Sequence, residues 1–242
     1  MAHELAVALL AGRDLAGPLA ERTGVPVIAT DEDTHLEVAR SLSEDADLVV
    51  GMAAVPWPWL PDLHAELSGT LPAYTGVVSW HGLPRLLDAL AEVVAPAARA
   101  GAHVLITAPD PGPEVEPGDL VFLREVAEGI AARVQLTARS VAWRGTTRTP
   151  TSVDALTSLV EAHGRRDVVE VPVAPGTGPD PELERAAERL GARLVCVDLG
   201  RATQLDLLTA VVRTVADHED DDGDRDEDGG EDWNDESHED DA

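Results

Sequence analysis

Short apolar runs alternate with longer amphipathic segments along most of this chain, and this alternation is the feature that most constrains its fold. Repeated strand-then-helix order is typical of an α/β fold built on a parallel sheet. The first run is apolar throughout, as expected for a strand that is covered on both faces. The predicted strands span residues 5–12, 25–30, 47–55, 75–80, 102–109, 136–143, 167–175 and 192–200.

The strand and helix order of the first half is repeated in the second half. The closing helices of the two halves, 84–94 and 205–215, align without gaps at an offset of 121 residues. We therefore predict two tandem parallel-sheet units related by duplication, at residues 1–100 and 101–216. The first helix of the first unit is the shorter one, so this unit is interpreted as a trimmed copy.

The charge of the chain is strongly negative and unevenly distributed. It has 46 Asp and Glu residues against 18 Arg and no Lys, for a net charge of −28. Residues 217–242 hold 16 of the acids and one Arg, and they have too little apolar surface to fold, so we predict a disordered acidic tail. The remaining acids indicate adaptation to a salt-rich, halophilic cytosol, where the screening length falls to about 3 Å.

Composition also excludes several classes of function. No basic patch is available for phosphates, which argues against nucleic-acid binding. No apolar run approaches the roughly 18 residues needed to cross a bilayer, and the N-terminus does not resemble a signal peptide. Cys196 is the only cysteine, so disulfides and Cys-rich metal sites are excluded. We expect a cytoplasmic protein without membrane contact.

Several segments of the second half match a known family in order and spacing. They are FLREVAEGIAARV, TPTSVDALTSLVEAHGRRDVVEVPV, and VDLG followed by LDLLTAVV. Together they resemble the CbiX-type sirohydrochlorin cobaltochelatases, in the class II tetrapyrrole chelatase family, over about residues 102–216. The resemblance implies a lyase that inserts Co²⁺ or Fe²⁺ into a sirohydrochlorin-like tetrapyrrole in cobalamin or sirohaem biosynthesis. The metal is then a substrate, and no permanently bound cofactor is implied.

The chain departs from this family at the histidines that handle the metal. Family members carry one histidine in an HGS motif after the first strand. The first unit has LAG at residues 10–12, within LLAGRD, and the second unit has TAPD at residues 107–110. Enzymatic activity therefore stays open. The alternative is a catalytically inactive chelatase-fold protein that binds a tetrapyrrole or metal, or that partners an active chelatase.

The remaining candidate site residues follow predicted strands. His81 comes directly after strand four and His64 after strand three, and neutral imidazole suits Co²⁺ or Fe²⁺ and could accept pyrrole protons. Trp80 and Trp57 could form an aromatic wall for a flat ligand, and Arg144 could pair with substrate carboxylates. Each has a structural alternative: turn packing, a subunit interface in a homo-oligomer, or a surface ion pair.

Three other histidines are predicted to be structural because of where they fall. His103 lies inside a predicted strand, whereas His35 and His163 lie on predicted helices.

Overall fold

Eight strands and eight helices alternate along the described part of the chain. The computed structural model describes residues 5–31, 33–54, 60–76, 84–110, 119–136, 138–145, 147–174 and 176–222. The first unit contains β1 (Leu5–Leu10), α1 (Arg13–Thr23), β2 (Val27–Thr30), α2 (His35–Asp45), β3 (Leu48–Ala53), α3 (Leu60–Thr70), β4 (Tyr74–Gly76) and α4 (Pro84–Arg99). The second unit contains β5 (His103–Pro109), α5 (Asp119–Arg133), β6 (Arg139–Arg144), α6 (Ser152–Glu161), β7 (Asp167–Pro172), α7 (Pro181–Leu190), β8 (Arg193–Cys196) and α8 (Gly200–Asp222).

The strands form two four-stranded parallel sheets with the same internal order. The first sheet runs β2-β1-β3-β4 and the second runs β6-β5-β7-β8. Every pairing within them is parallel. The predicted α/β fold of two related parallel-sheet units is therefore confirmed.

The structure differs from the predicted elements at three places. Between β3 and β4, where the sequence predicts a loop and a possible short helix, the structure has a helix of 11 residues, α3, because Leu63 and Leu67 pack under the first sheet. Strand β4 begins one residue earlier, and residues 77–83 of the predicted strand and turn lie outside the described residues. Helix α8 continues to Asp222, so it includes the first six residues of the predicted tail, and 223–242 lie outside the described residues.

Local signals in the sequence set the ends of several helices. The Thr151 hydroxyl accepts a hydrogen bond from the Asp154 amide at 3.0 Å, and the Asp154 carboxylate accepts one from the Thr151 amide. This reciprocal cap begins α6, and the Thr-x-x-Asp spacing of residues 151–154 predicts it from the sequence. Among the described helices, none is long and apolar enough to cross a membrane.

The largest apolar core lies between the two units and is shared by them. It contains buried side chains from β1 and β3 of the first sheet and from β5 and β7 of the second, together with α1, α4, α5 and α8. Leu9, Met52, Ile106 and Leu208 in this core are all fully or almost fully buried. Because burial of apolar area is the dominant favourable term in folding, this shared core fixes one unit against the other.

The closing helix of each unit lies against the other unit. Helix α4 packs on β5, β7 and α5, whereas α8 packs along α1. On α8, the Gln204 amide donates to the backbone carbonyl of Ala54 at 2.7 Å, just beyond β3. Asp206 of α8 also pairs with Arg22 of α1. The units are therefore joined by an exchange of helices.

We predict that Gln204→Met destabilises the chain by about 1–3 kcal/mol, because the buried Ala54 carbonyl loses its donor. The matched control is Gln135→Met, which changes an exposed glutamine and should stay within about 0.5 kcal/mol of the parent. Urea unfolding of the three proteins measures both values. Equal midpoints for the two variants would contradict the role given to Gln204.

Candidate functional site

A cleft cavity of about 750 Å³ opens where the first sheet meets the second unit. One wall is formed by residues 11–15, after β1, and by the end of β2 with the turn that follows it. The other wall is formed by Gly176, Thr177, Arg201 and Gln204 of the second unit. Ligands of open α/β sheets bind at the carboxyl ends of the strands, so this cleft is the candidate site.

The cleft wall carries both positive and negative side chains. Arg13 and Arg201 line the cleft, as do Asp14 and Asp31. Arg201 lies 3.6 Å from the Asp14 carboxylate, and both side chains are more than half exposed. An ion pair this exposed contributes little to stability, so Arg201 can exchange its partner for a ligand anion.

The backbone turns after β1 through one left-handed residue. Ala11, which aligns with the glycine of the HGS motif, has a φ of 55°. Glycine takes this left-handed conformation without strain, whereas alanine pays a steric cost. This turn therefore stores backbone strain at the edge of the cleft.

The two HGS histidine positions are occupied by buried residues that do not bind metals well. The Leu10 carbonyl accepts from the Ala54 amide, and the Thr107 carbonyl accepts from the Val173 amide, so Leu10 and Thr107 are equivalent. Both are at most 2% exposed. Within the described residues, no group of three His, Cys, Asp or Glu side chains is arranged to hold a metal ion.

A chain of buried hydrogen bonds runs from the cleft wall into the first unit. Thr30 lines the cleft, and its hydroxyl lies 2.7 Å from Nδ1 of His35. Nε2 of His35 lies 3.1 Å from the Tyr74 hydroxyl, which lies 2.6 Å from Nδ1 of His64. All four residues are buried. We call these four residues the imidazole chain.

Two glycines on adjacent strands make room for the imidazole chain. Gly51 of β3 pairs with Gly76 of β4. A Cβ at Gly51 would lie 1.7 Å from the Tyr74 hydroxyl oxygen, and one at Gly76 would lie 2.2 Å from the His64 ring. The absence of these side chains is therefore a steric requirement of the buried rings.

Burial keeps His35 and Tyr74 of the imidazole chain uncharged. Desolvation lowers the pKa of His35 and raises the pKa of the Tyr74 hydroxyl. His35 is therefore neutral at pH 7. Because its folded pKa lies below the unfolded value, the unfolded state takes up its proton first on acidification, and stability falls as pH drops through about 6.5.

The second unit fills the equivalent place with an ion pair. Glu170 and Cys196 form the cross-strand pair that corresponds to Gly51 and Gly76. The Glu170 carboxylate is fully buried and accepts from Nη2 of Arg144 at 2.7 Å and from the Thr107 hydroxyl at 3.0 Å. Each unit thus buries a polar network under the carboxyl end of its sheet, and the two networks differ in the groups that form them.

The structure describes two of the five site residues that we predicted from the sequence, His64 and Arg144. His64 is 2% exposed and lies on α3. Nη2 of Arg144 lies 2.7 Å from the buried Glu170 carboxylate, and a contact of Arg144 with substrate carboxylates stays a prediction. His81, Trp80 and Trp57 lie outside the described residues.

Sequence reasoning missed that His35 and His64 meet at one hydroxyl. It assigned His35 to the structural histidines of the helices, and it gave no role to the only tyrosine of the chain. The available signal was Gly51 inside an otherwise apolar buried strand, because such a glycine often marks a close approach of another group.

We predict that Arg144→Met destabilises the chain by about 3–5 kcal/mol, because it leaves the buried Glu170 carboxylate uncompensated. Arg185→Met is the control. It removes an exposed pairing with Glu182 at 3.9 Å and should cost less than about 1 kcal/mol. Denaturant unfolding gives both differences, and a loss at Arg144 no larger than that at Arg185 would refute the structural role of the buried pair.

We also predict that Gly51→Ala costs at least about 1–3 kcal/mol, because its methyl group overlaps the Tyr74 hydroxyl. Gly69→Ala, on the exposed face of α3 with open space around it, should instead be neutral or stabilising by up to about 1 kcal/mol. Thermal unfolding of both variants checks this contrast, and equal melting temperatures would argue against a tight cradle.

Comparison with solved structures shows the same two-unit fold in other proteins. SirB from Bacillus subtilis with Fe³⁺ is 12% identical, with a TM-score of 0.59, over 90% of this chain and 98% of that one. CbiX, described as the terminal enzyme for biosynthesis of siroheme in denitrifying bacteria, is 16% identical, with a TM-score of 0.55, over 87% of this chain and 98% of that one.

A periplasmic ribose ABC transporter protein from Conexibacter woesei is 11% identical, with a TM-score of 0.50, over 89% of this chain and 85% of that one. No protein-family model matches the sequence, and neither does any curated protein. Sequence identities this low, together with these TM-scores, show a shared fold and do not show a shared activity. The resemblance read from the sequence is therefore confirmed as a shared fold: this chain has the two-unit α/β fold of SirB and CbiX.

Proposed function

We propose that this chain binds a sirohydrochlorin-like tetrapyrrole in the cleft and inserts Co²⁺ or Fe²⁺ into it, as a lyase of cobalamin or sirohaem biosynthesis. The observation that carries the proposal is the position of the cleft: it lies at the carboxyl ends of the strands, between two units with the fold of SirB and CbiX. A cytoplasmic location stays a prediction from composition.

The size and charge of the cleft support a tetrapyrrole as the ligand. A volume of about 750 Å³ is within the range of sites that take small organic molecules. Arg13 and Arg201 lie on opposite walls of the cleft and match the carboxylates that surround a sirohydrochlorin ring. We propose these two arginines, together with Arg144, which also pairs with Glu170, as the partners of the substrate carboxylates.

We propose His64 and His81 as the ligands of the incoming metal and as acceptors of the pyrrole protons. The His64 ring packs on Gly76, the last residue of β4. The chain leaves Gly76 into the segment 77–83, which contains His81 and Trp80. Borderline metals such as Co²⁺ and Fe²⁺ accept imidazole nitrogen, so two such rings suffice to hold and release the ion.

A second candidate function is tetrapyrrole or metal binding without insertion, by a partner of an active chelatase. The observation that favours it is the occupation of both HGS histidine positions by Leu10 and Thr107, which are buried and cannot replace imidazole. Both functions use the same cleft, and they differ in whether metal enters the ring.

One assay separates the two functions. Purified protein is mixed with sirohydrochlorin and Co²⁺ in high salt, and the absorbance change on metal insertion is followed. We expect insertion above the protein-free rate, and His64→Ala and His81→Ala should each lower the rate about 100-fold or more. His163→Ala, which changes an exposed histidine, should leave the rate unchanged.

Binding is measured in the same samples through quenching or shift of the tetrapyrrole spectrum without metal. Binding without insertion would exclude the lyase function and support the second candidate. Absence of binding would remove both. Insertion that survives loss of both histidines would show that the ligands were wrongly chosen.

A further inference from the structure

One ion pair spans the cleft and joins its two walls. Arg201 lies in the first turn of α8, in the second unit, and Asp14 lies in the first turn of α1, in the first unit. Both residues line the cleft. Nη1 of Arg201 lies 3.6 Å from the Asp14 carboxylate, and Nη2 donates a hydrogen bond to the Asp14 backbone carbonyl. Arg201 is therefore held by two different acceptors of one residue.

The two acceptors differ in what happens when the Asp14 side chain is changed or turns away. The carbonyl belongs to the backbone and stays in place, so Nη2 of Arg201 keeps its acceptor. Nη1 loses the carboxylate, and because a guanidinium is a donor only, it then becomes available to another anion. The guanidinium thus stays at the cleft wall while the position of the Asp14 carboxylate is opened for a ligand carboxylate.

The exposure of this ion pair makes such an exchange easy. The side chain of Asp14 is 78% exposed and that of Arg201 is 55% exposed, so neither charge has to enter or leave water. A pair this exposed shifts an equilibrium by about 5-fold at most. The pair of Arg144 and Glu170 is the opposite case, because its separation would leave a buried charge uncompensated. A ligand carboxylate can therefore replace that of Asp14 far more readily than that of Glu170.

The other acid described on the cleft wall is held by its own turn. The Asp31 carboxylate accepts hydrogen bonds from the Thr34 amide at 3.0 Å and from the Thr34 hydroxyl. Of the two acids described on the cleft wall, Asp14 is thus the one whose carboxylate pairs with an arginine of the opposite wall.

We propose that Asp14 is an internal competitor for Arg201: its carboxylate occupies the place on this arginine that a ligand carboxylate takes, and the ligand must displace it. The inference deepens the proposed function and rests on it for the identity of the ligand. The competition itself concerns any carboxylate that enters the cleft. Asp14 is therefore a residue that sets affinity and selectivity, and it has no role in the chemistry of insertion.

The competition favours ligands that carry several carboxylates. A monocarboxylate that displaces Asp14 exchanges one ion pair for another of the same kind and gains little. A polycarboxylate displaces Asp14 once, and its other carboxylates can still reach Arg13 on the opposite wall. The structure thus assigns to Asp14 a discrimination against small monoanions.

The test is a double-mutant cycle on the affinity for metal-free sirohydrochlorin, followed through its absorption spectrum. It is carried out at about 0.1 M salt, where the screening length is about 10 Å. Asp14→Asn should tighten binding about 2- to 5-fold, because the competitor is removed. Arg201→Gln should weaken binding about 5-fold or more, because a charge-assisted contact is lost. Asp14→Asn added to Arg201→Gln should give almost no further change, and this non-additivity measures the competition.

Asp206→Asn is the matched control. Asp206 of α8 pairs with Arg22 of α1, so the control breaks an exposed pair between the same two helices, and neither residue lines the cleft. It should leave the affinity for sirohydrochlorin unchanged. A gain of affinity in Asp14→Asn that exceeds this control cannot come from a general loosening of α1 against α8.

Two results would overturn the inference while leaving the proposed function in place. They are sirohydrochlorin binding that is no tighter in Asp14→Asn than in the parent, and a gain of equal size when Arg201 is already glutamine. The second result would show a general effect of removing one negative charge from the cleft.

If neither the parent nor Asp14→Asn binds sirohydrochlorin, the proposed function fails and a second probe decides the inference. Citrate, a tricarboxylate, is titrated into the full chain while the Nε–H signal of Arg201, assigned through Arg201→Gln, is followed by ¹H–¹⁵N NMR. A tighter response to citrate in Asp14→Asn than in the parent would support the competition. A response that is equal in the two proteins, or absent from both, would overturn it.

Discussion

The apolar core between the two units is the interaction on which the cleft depends. It joins side chains from both sheets, and each closing helix lies against the unit to which it does not belong in sequence. The carboxyl ends of the first sheet are thereby held beside the second unit. Gln204 shows the link directly, because it bonds the carbonyl of Ala54 and also lines the cleft.

The two units fill the equivalent buried position under their sheets with different groups. The second unit compensates the charge of Glu170 with Arg144, and breaking such a buried pair costs about 3–5 kcal/mol. The first unit has glycine at positions 51 and 76, and the Tyr74 phenol and the His64 ring occupy the space that side chains would fill. Two units of the same topology thus contain one buried network built on an ion pair and one built on imidazole rings, a phenol and a hydroxyl.

The sequence predicts the fold better than the site, for physical reasons. An apolar run such as the one ending at Leu10 predicts a buried strand from neighbouring residues alone. The Thr151–Asp154 cap likewise depends on four consecutive residues. The imidazole chain depends instead on residues far apart in sequence, since His35 and Tyr74 meet only when α2 packs against the sheet. The sequence around Arg144 is compatible with a surface cation, because no residue near it in sequence indicates that Glu170 is its partner.

The first unit has no histidine after β1, but it still contains an imidazole close to the carboxyl end of its sheet. Leu10 packs against Ala53 and Leu63, so the apolar core has extended into the place that an HGS histidine would occupy. His64, on α3, lies beside Gly76 of β4, which is two strands from β1 in the same sheet. The imidazole of His64 therefore stands near the end of β4 and not at the end of β1, and the pairing of Gly51 with Gly76 that makes room for its ring also fixes where this imidazole lies.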